Sequence, residues 1–368
     1  MKFTVNTKPL KDALAIAIVD SNVSRYYQKS TLVQLTMEQN HLRINTEANA
    51  IMTEVSVYGH GECNGGESIL IDAILFKKLI NTISATQMDI EFSENAVSVR
   101  TSSGSYNLPK MLDTSEAQLN RPESLTDSEI EFGLEVDTDS WKYIKSHQMF
   151  ARATTDEYPV YTYVFFGEGG DVLVGDYKSS IFTHSSCGIL GEDCLISESI
   201  VNMFNSIPDN ARLIKKGENY IVNANTDSFT FTASFVPRYE SDELGRYNSD
   251  IFIELMSTFN KEHISIKSSD ITTVLNQVQI LSKRLTKLHL CISGDTMTLS
   301  DVNMKSTIHS DVVQNQTYEV NMNPDNLRNV ISHCPDATLD IYPAMNGDNI
   351  VGIMIASGSM TVVIAGVE

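Results

Sequence analysis

The fold class is decided by the segment Phe3-Thr-Val-Asn-Thr-Lys-Pro-Leu-Lys-Asp-Ala-Leu-Ala-Ile-Ala-Ile18 near the start of the chain. Its first residues are typical of a short β-strand. Leu10, Leu14 and Ile18 then recur every four residues, which places them on one face of an amphipathic helix. The segment therefore predicts a strand that passes directly into a helix.

The same order of elements recurs twice further along the chain. The first copy continues with strands at 32–37 and 41–45, a helix at 71–80, and strands at 88–92, 96–100 and 105–108. The second copy has a strand at 132–136, a helix at 139–150, strands at 161–166 and 171–174, a helix over 197–207, and strands at 212–215, 220–223 and 229–235. The third has a strand at 263–266, a helix at 269–281, strands at 287–292 and 296–299, a helix opened by Pro324, and strands at 337–341, 350–356 and 360–364.

The second helices of the copies begin near Ile71, Ile196 and Met322, at intervals of 125 and 126 residues. A period this long indicates a repeated domain rather than a solenoid unit. Polar segments at 114–127 and 240–250 are typical of linkers. We therefore predict an α+β protein of three similar domains, 1–125, 126–247 and 248–368, each with two helices and antiparallel sheets. Chance similarity of α+β segments is the alternative.

The charge and the cysteines limit the class of protein. A net charge of −20 argues against binding phosphates over the whole surface and fits a soluble cytoplasmic protein. The five cysteines are odd in number and lack a C-x-x-C motif, so neither a disulfide framework nor a zinc site is expected. No secretion signal or membrane span is recognised.

Motifs for catalysis are weak. Gly61–Gly66 lacks the Lys-Ser/Thr end of a phosphate-binding loop and is more typical of a hairpin. His184-Ser-Ser-Cys187 places a base near nucleophiles, but no orienting carboxylate can be assigned from the sequence. The histidines of the last third of the chain are single and lack metal spacing. We expect no enzyme, no metal and no cofactor.

At this level the whole chain resembles the bacterial sliding clamp family, the beta subunits of DNA polymerase III. The resemblance is carried by the threefold pattern, the length and four short phrases: Met1-Lys-Phe-Thr-Val5, Ser105-Tyr-Asn-Leu108, Val236-Pro-Arg-Tyr239 and Gln279-Ile-Leu-Ser282. It implies a head-to-tail homodimer that forms a closed ring around double-stranded DNA, with helices lining the hole. The function implied is that of a replicative processivity factor, in the bacterial cytoplasm or nucleoid.

The resemblance also implies a subunit contact, in which Tyr106 and Leu108 on an edge strand meet Ile280 and Leu281 of the partner. Burial of Ile280 and Leu281 within their own domain is the alternative. A ring held on DNA by topology needs only weak phosphate contacts, which reconciles DNA binding with the acidic charge. The basic residues expected to face DNA are Lys8, Lys11, Arg25, Lys29, Lys77, Lys78, Lys142, Lys145, Lys283 and Arg328. Solvated surface positions are the alternative for each.

A docking groove for short peptides of the polymerase and the clamp loader is implied as well. Its expected residues are Val160, Tyr161, Gly175, Asp176, Lys178, Ile181, Pro237, Val362 and Ile364. The family's Asp-Gly-His-Arg-Leu reads Asp176-Tyr-Lys-Ser-Ser-Ile181 here, and its methionine–proline–methionine ending is replaced by Ile364-Ala-Gly366. These departures indicate a divergent member, such as a phage-encoded one. The competing function is a β-rich oligomeric scaffold or carbohydrate-binding protein without a role on nucleic acid.

Overall fold

A computed structural model describes residues 2–19, 32–48, 51–62, 66–111, 119–151, 159–176, 181–186, 190–241, 247, 262–281, 287–334, 336–346, 349–358 and 360–367. The chain forms two compact units. Unit 1 comprises Met1–Lys142 and Ser199–Pro237, and unit 2 comprises Tyr143–Glu198 and Arg238–Glu368. The division into three domains stays a prediction, because the middle repeat contributes strands to both units.

The described residues form 24 strands and seven α-helices in three repeats of one order, strand–helix–four strands–helix–three strands. The first repeat consists of β1 (Lys2–Asn6), α1 (Thr7–Ala17), β2 (Leu32–Met37), β3 (His41–Ala48), β4 (Ile51–Glu62), β5 (Glu67–Asp72), α2 (Ala73–Thr82), β6 (Gln87–Phe92), β7 (Ala96–Thr101) and β8 (Gly104–Pro109). A short helix, α3 (Asp127–Glu131), precedes the second repeat.

The second repeat consists of β9 (Leu134–Glu135), α4 (Thr138–Ala151), β10 (Val164–Phe166), β11 (Val172–Asp176), β12 (Ile181–Ser185), β13 (Cys194–Ile196), α5 (Glu198–Phe204), β14 (Arg212–Lys216), β15 (Asn219–Asn225) and β16 (Phe229–Phe235). The third consists of β17 (Ile264–Lys267), α6 (Ser268–Leu281), β18 (Leu288–Ser293), β19 (Thr296–Ser300), β20 (Lys305–His309), β21 (Tyr318–Met322), α7 (Pro324–His333), β22 (Thr338–Asn346), β23 (Asn349–Ser357) and β24 (Met360–Ala365).

The helices begin where the sequence supplies caps. The Asp72 carboxylate accepts a hydrogen bond from the Leu75 N–H at 2.7 Å at the start of α2. Asn323 caps α7 in the same way, and Pro324 follows at the first helical position, where a missing N–H costs nothing. The second helices therefore begin at Ala73, Glu198 and Pro324, at intervals of 125 and 126 residues. The predicted period is confirmed.

Unit 1 contains one twelve-stranded sheet built from three groups of four strands. The groups have the orders β8-β7-β6-β1, β5-β2-β3-β4 and β16-β15-β14-β9. The β4·β16 pairing joins the first repeat to the second and is antiparallel, with Val55 opposite Phe231. Both residues are fully buried.

Unit 2 has an eight-stranded sheet and a four-stranded sheet. The eight-stranded sheet joins the groups β13-β10-β11-β12 and β24-β23-β22-β17 through an antiparallel β12·β24 pairing, with Thr183 opposite Val362. The four-stranded sheet has the order β20-β19-β18-β21. Every repeat therefore supplies two groups of four strands.

Each repeat also packs its two long helices against each other or against the sheet. In the middle repeat Trp141 of α4 stacks on Phe204 of α5, with ring centroids 3.8 Å apart and planes inclined by 4°. Trp141 is fully buried and belongs to the core of unit 1.

Several elements differ from the sequence predictions. Tyr161 lies in a 3₁₀ helix, Pro159–Thr162, and the predicted strand at 161–166 is reduced to β10. The predicted strand at 132–136 is reduced to β9, because Thr126 and Glu129 form a capping box that starts α3 directly before it. Ile71 belongs to β5 rather than to the following helix, since the Asp72 cap fixes the helix start.

Candidate functional site

Strand β8 is the last strand at one end of the unit 1 sheet among the strands that the structure describes. It pairs with β7 through Tyr106 opposite Val99 and Leu108 opposite Val97. Tyr106 is 41% exposed, whereas Leu108 is only 4% exposed and packs into the core of its own unit. Of the two predicted contact residues on β8, Tyr106 is therefore the one whose side chain is available to a partner.

Strand β20 is an end strand of the four-stranded sheet and was not among the strands predicted from the sequence. It pairs with β19 alone among the described strands, with Ile308 opposite Met297. Helix α6 packs beside it. Ile280 near the end of α6 is 75% exposed, so it does not belong to the core of its own domain. The side chain of Leu281 lies outside the described residues.

Exposed valines flank β20 on both sides. Val302 precedes the strand and is 95% exposed, and Val313 follows it and is 68% exposed. Single exposed apolar residues are ordinary on protein surfaces, but here three of them, with Ile280, accompany one unpaired strand edge. The exposure of these residues is visible only in the structure, so the sequence alone provides no signal for this edge.

Two of the predicted DNA-facing lysines bind helix ends within the fold. Lys11 of α1 donates hydrogen bonds to the carbonyls of Asn81 and Ile83, at 3.1 and 2.7 Å, at the end of α2. Lys77 of α2 donates to the carbonyl of Ile18 at 2.5 Å, at the end of α1. Each helix thus caps the other, and the cations compensate the negative ends of the two helix dipoles.

The remaining basic positions divide by their surroundings. Arg328 pairs with Asp325 at 2.8 Å and donates to the carbonyl of Leu275 at 3.1 Å, and Lys142 pairs with Asp139 at 2.9 Å. Lys8 and Lys78 are exposed on α1 and α2, and Lys145 is half-buried on α4. Arg25, Lys29 and Lys283 lie outside the described residues.

Six of the nine predicted groove residues lie in the described part of unit 2, and they are buried. Ile181 on β12 lies opposite Ile364 on β24, and Val362 lies opposite Thr183. Ile181, Val362, Ile364, Val160 and Tyr161 are between 0% and 8% exposed. Gly175 and Pro237 are buried too, the latter at the end of unit 1. Lys178 and the side chain of Asp176 lie outside the described residues.

A linker residue accounts for part of this burial. Tyr247, in the segment predicted to be a polar linker, is fully buried and packs against Val160, Tyr161, Phe165 and Leu173. An aromatic residue within a run of Ser, Asp, Glu and Asn is the signal in the sequence that could have found it.

The histidine motif acquires a carboxylate partner. His184 Nε2 lies 2.7 Å from Asp171 Oδ1, although the sequence suggested no orienting group. Ser185, the next residue on β12, is fully buried and points to the other face of the strand, as alternation requires. Cys187 lies outside the described residues.

The described cysteines, Cys194, Cys291 and Cys334, form no disulfide. Burial, with Asp336 nearby, raises the pKa of Cys334 to about 12. A thiol with so high a pKa stays protonated and is a poor nucleophile. Within the described ranges no three His, Cys, Asp or Glu side chains are placed to hold a metal ion. The described helices include none with the length and apolar character needed to cross a membrane.

Comparisons with known proteins identify the fold. No protein-family model matches the sequence, and no curated protein matches it. Among solved structures, the chain is similar to the DNA polymerase III beta subunit of Thermotoga maritima, with a TM-score of 0.76 at 13% identity, and to the beta chain from Streptococcus pneumoniae, with a TM-score of 0.75 at 14% identity. In both comparisons 100% of this chain and 99% of the other are covered.

A Helicobacter pylori beta clamp bound to a DNA ligase peptide is also similar, with a TM-score of 0.66, 12% identity and 100% coverage of both chains. The chain therefore has the fold of the DNA polymerase III beta subunits over its whole length, with a strongly diverged sequence. The predicted α+β fold of the clamp type is confirmed.

Proposed function

We propose that the protein is a DNA sliding clamp, a homodimeric ring that encircles duplex DNA and tethers a replicative polymerase without catalysing a reaction. The observation that carries the proposal is the pairing rule of the repeats. The fourth strand of repeat one pairs with the eighth strand of repeat two, as β4·β16, and the fourth strand of repeat two pairs with the eighth of repeat three, as β12·β24. The rule leaves two strands over, namely β8, the eighth strand of repeat one, and β20, the fourth strand of repeat three.

Among the described strands of one chain β8 and β20 are not paired with each other, and in the proposed ring the third pairing forms between copies of the chain. In a β8·β20 contact one copy supplies β8 and the other supplies β20, so the contact is heterologous. Contacts of this kind form closed rings when the rotation between copies closes. Two copies of three domains, 1–125, 126–247 and 248–368, would give six domains in the ring. Tyr106 and Ile280 are the exposed apolar residues that accompany these edges, with 41% and 75% of their surface accessible.

The acidic charge suits a ring that slides. Retention by topology requires few phosphate contacts, and each contact must be weak and independent of sequence. Lys8 and Lys78 are exposed on the paired helices α1 and α2, where they are available to phosphates. Lys11, Lys77 and Arg328 are already bound to backbone carbonyls, so their contribution to DNA binding is expected to be smaller.

The proposed partners are the polymerase and the clamp loader, which would dock short peptides on unit 2 near Val160, Tyr161 and Gly175. The support is the fold shared with the Helicobacter pylori clamp, which was solved with a DNA ligase peptide. The proposed location is the bacterial cytoplasm or nucleoid, and the proposed role needs no cofactor.

The assembly is tested by the mass in solution together with negative-stain electron microscopy. We expect twice the chain mass of 40.9 kDa and a ring with a central hole and six-part symmetry. A monomer at all concentrations, or a particle without a hole, would contradict the ring.

The DNA role is tested by topology. The protein is loaded on nicked circular plasmid with its cognate loader, and bound protein is recovered by gel filtration at high salt. Cutting the plasmid once should release it, because a ring slides off a free end. A scaffold without a role on nucleic acid would not be retained on the circle, and a simple DNA-binding protein would be lost at high salt before the cut.

A further inference from the structure

Unit 2 contains an apolar pocket that is filled by a residue of the chain's own linker. The pocket is lined by Val160, Tyr161, Phe165, Leu173 and Leu195, and Tyr247 fills it. The Tyr247 ring lies 5.0 Å from that of Tyr161 and 5.4 Å from that of Phe165, between centroids. Aromatic pairs at such distances stabilise each other beyond the burial of their surface.

The hydroxyl of Tyr247 is incompletely satisfied in this position. It is buried against the backbone of Gly175, which is its one polar contact among the described residues, and its own O–H proton has no acceptor there within 3.5 Å. A Cβ at Gly175 would lie 3.5 Å from this oxygen and 2.5 Å from the Phe182 ring, so a glycine keeps room for the packed tyrosine. A buried hydroxyl without a partner costs free energy, whereas an ordinary core position would carry phenylalanine or supply a partner.

The main chain at Tyr247 is held by one side chain of the same linker. The Glu240 carboxylate accepts a hydrogen bond from the Tyr247 N–H at 2.5 Å. This bond joins two residues that are seven positions apart in the sequence, and Glu240 itself is exposed. Outside the pocket, the described contact that anchors Tyr247 is therefore this one bond to the exposed Glu240 carboxylate.

We propose that Tyr247 is an internal competitor that occupies the docking pocket until a partner peptide presenting its own aromatic side chain displaces it. The inference rests on the peptide-docking part of the proposed function. It follows from three observations: the pocket lies among the predicted groove residues Val160, Tyr161 and Gly175, its occupant is an aromatic side chain of a polar linker, and that occupant is imperfectly paired. Because Tyr247 competes for the pocket, the apparent affinity for a partner peptide is the intrinsic affinity multiplied by the fraction of molecules in which the pocket is open.

The test uses a fluorescent synthetic peptide with the chain's own sequence of residues 240–250, Glu-Ser-Asp-Glu-Leu-Gly-Arg-Tyr-Asn-Ser-Asp, read by anisotropy. The full-length Tyr247→Ala variant should bind it about tenfold or more tightly than the unaltered protein, because the pocket is then vacant. The same peptide with alanine at the tyrosine position should bind neither protein. Equal binding of the tyrosine peptide to both proteins, or binding to neither while circular dichroism shows both folded, would overturn the proposal.

A second variant covers the case in which Tyr247→Ala does not fold. Glu240→Ala removes only the tether and leaves the pocket intact, and it should bind the tyrosine peptide at least a few-fold more tightly than the unaltered protein. An unchanged affinity would overturn the proposal. The peptide assay needs no DNA, so its outcome is independent of the plasmid experiment. If the protein is retained on circular DNA but Tyr247 is never displaced, only the proposed role of Tyr247 is refuted. If Tyr247 is displaced but the protein is never retained on the circle, only the proposed clamp function is refuted.

Discussion

The Lys11 ammonium group donates a 2.7 Å hydrogen bond to the carbonyl of Ile83, the residue that follows the last turn of α2. Lys77 makes the reciprocal contact with Ile18 at the end of α1. Two lysines that the sequence presents as equivalent to exposed Lys8 are therefore parts of the fold. We therefore expect replacement of Lys11 to affect mainly the stability of the protein and replacement of Lys8 to affect mainly its binding to DNA.

Replacing Lys11 should affect stability more than DNA binding. Lys11→Ala removes a cation from the C-terminal end of α2 and leaves carbonyls without their donor, which should lower the free energy of unfolding by about 1 kcal/mol. The matched control is Lys8→Ala on the same helix, which should change stability by less than about 0.5 kcal/mol. Urea unfolding measures both. Equal losses for the two variants would contradict the structural role of Lys11.

The two lysines should have the opposite order in DNA binding. If Lys8 contacts a phosphate, Lys8→Ala should reduce the slope of log affinity against log salt by about 0.9. Lys11→Ala should leave that slope nearly unchanged. The slopes are obtained from binding to short duplex DNA over a series of salt concentrations, and a larger change for Lys11 would reverse the assignment.

The subunit contact should respond to charge at exposed residues. Tyr106→Asp on β8 and Ile280→Asp on α6 each place a carboxylate in the proposed apolar contact, and each should give folded monomers by light scattering. Leu108→Asp is an unsuitable test, because Leu108 is 4% exposed and the variant should disturb its own domain instead. The control is Phe132→Asp: Phe132 is 83% exposed and precedes β9, at the end of the unit 1 sheet opposite β8.

A dimer that persists in both Tyr106→Asp and Ile280→Asp would exclude the assigned contact. A monomer produced by Phe132→Asp would move it to the other end of the sheet. The proposed β8·β20 pairing is retained only if the first two variants dissociate and the control does not.

Much of the fold could be predicted from the sequence because each repeat begins with clear local signals. Pro324 after Asn323, and the spacing of the second helices, reflect caps and helical periodicity, which depend on neighbouring residues. Strand β12 was missed because its apolar residues pack against a partner strand far away in the sequence, with Ile181 opposite Ile364. Strand β20 was missed because Ile308 is its one buried residue, so it lacks an alternating apolar pattern. Long-range pairing leaves little trace in a single sequence.

The candidate site was harder to predict than the fold. Nothing in the sequence distinguishes Lys11 from Lys8, since the difference lies in the end of a helix some seventy residues away. Tyr247 stands in a polar segment, and its burial depends on side chains from Val160 to Leu195. Ile280 and Leu108 are both apolar, but one is exposed and the other is in the core. Hydrophobicity alone does not separate a contact residue from a packing residue.

Acid should weaken the start of α4 through Asp137. The Asp137 carboxylate accepts a hydrogen bond from the Ser140 hydroxyl at 2.7 Å, and with the N–H groups of Ser140 and Asp139 this lowers the pKa of Asp137. A carboxyl whose pKa is lower in the folded state contributes stability that is present above its unfolded pKa of about 3.9 and is lost as the pH falls through the folded value.

Asp137→Ala should therefore cost about 1 kcal/mol near neutral pH, as expected for the loss of an N-terminal cap. The difference from the unaltered protein should shrink on acidification below pH ~4. Asp137→Asn is the matched control, since it keeps the cap without the charge and should show little of this pH dependence. A cost that stays constant down to low pH in Asp137→Ala would contradict the assignment.

The stacked pair Trp141 and Phe204 should both stabilise unit 1 and report on its folding. Trp141 is the only tryptophan in the chain and is fully buried, so its fluorescence should be blue-shifted in the native protein and shift to the red on unfolding. Phe204→Ala removes the ring 3.8 Å away and leaves a cavity, which should cost about 3–5 kcal/mol and shift the native emission to the red. Phe204→Leu fills most of the space and should cost about 1.5 kcal/mol or less. Phe132→Ala, at an exposed position, should change neither quantity, and a loss as large as that of Phe204→Ala would show that the emission does not report on the stacked pair.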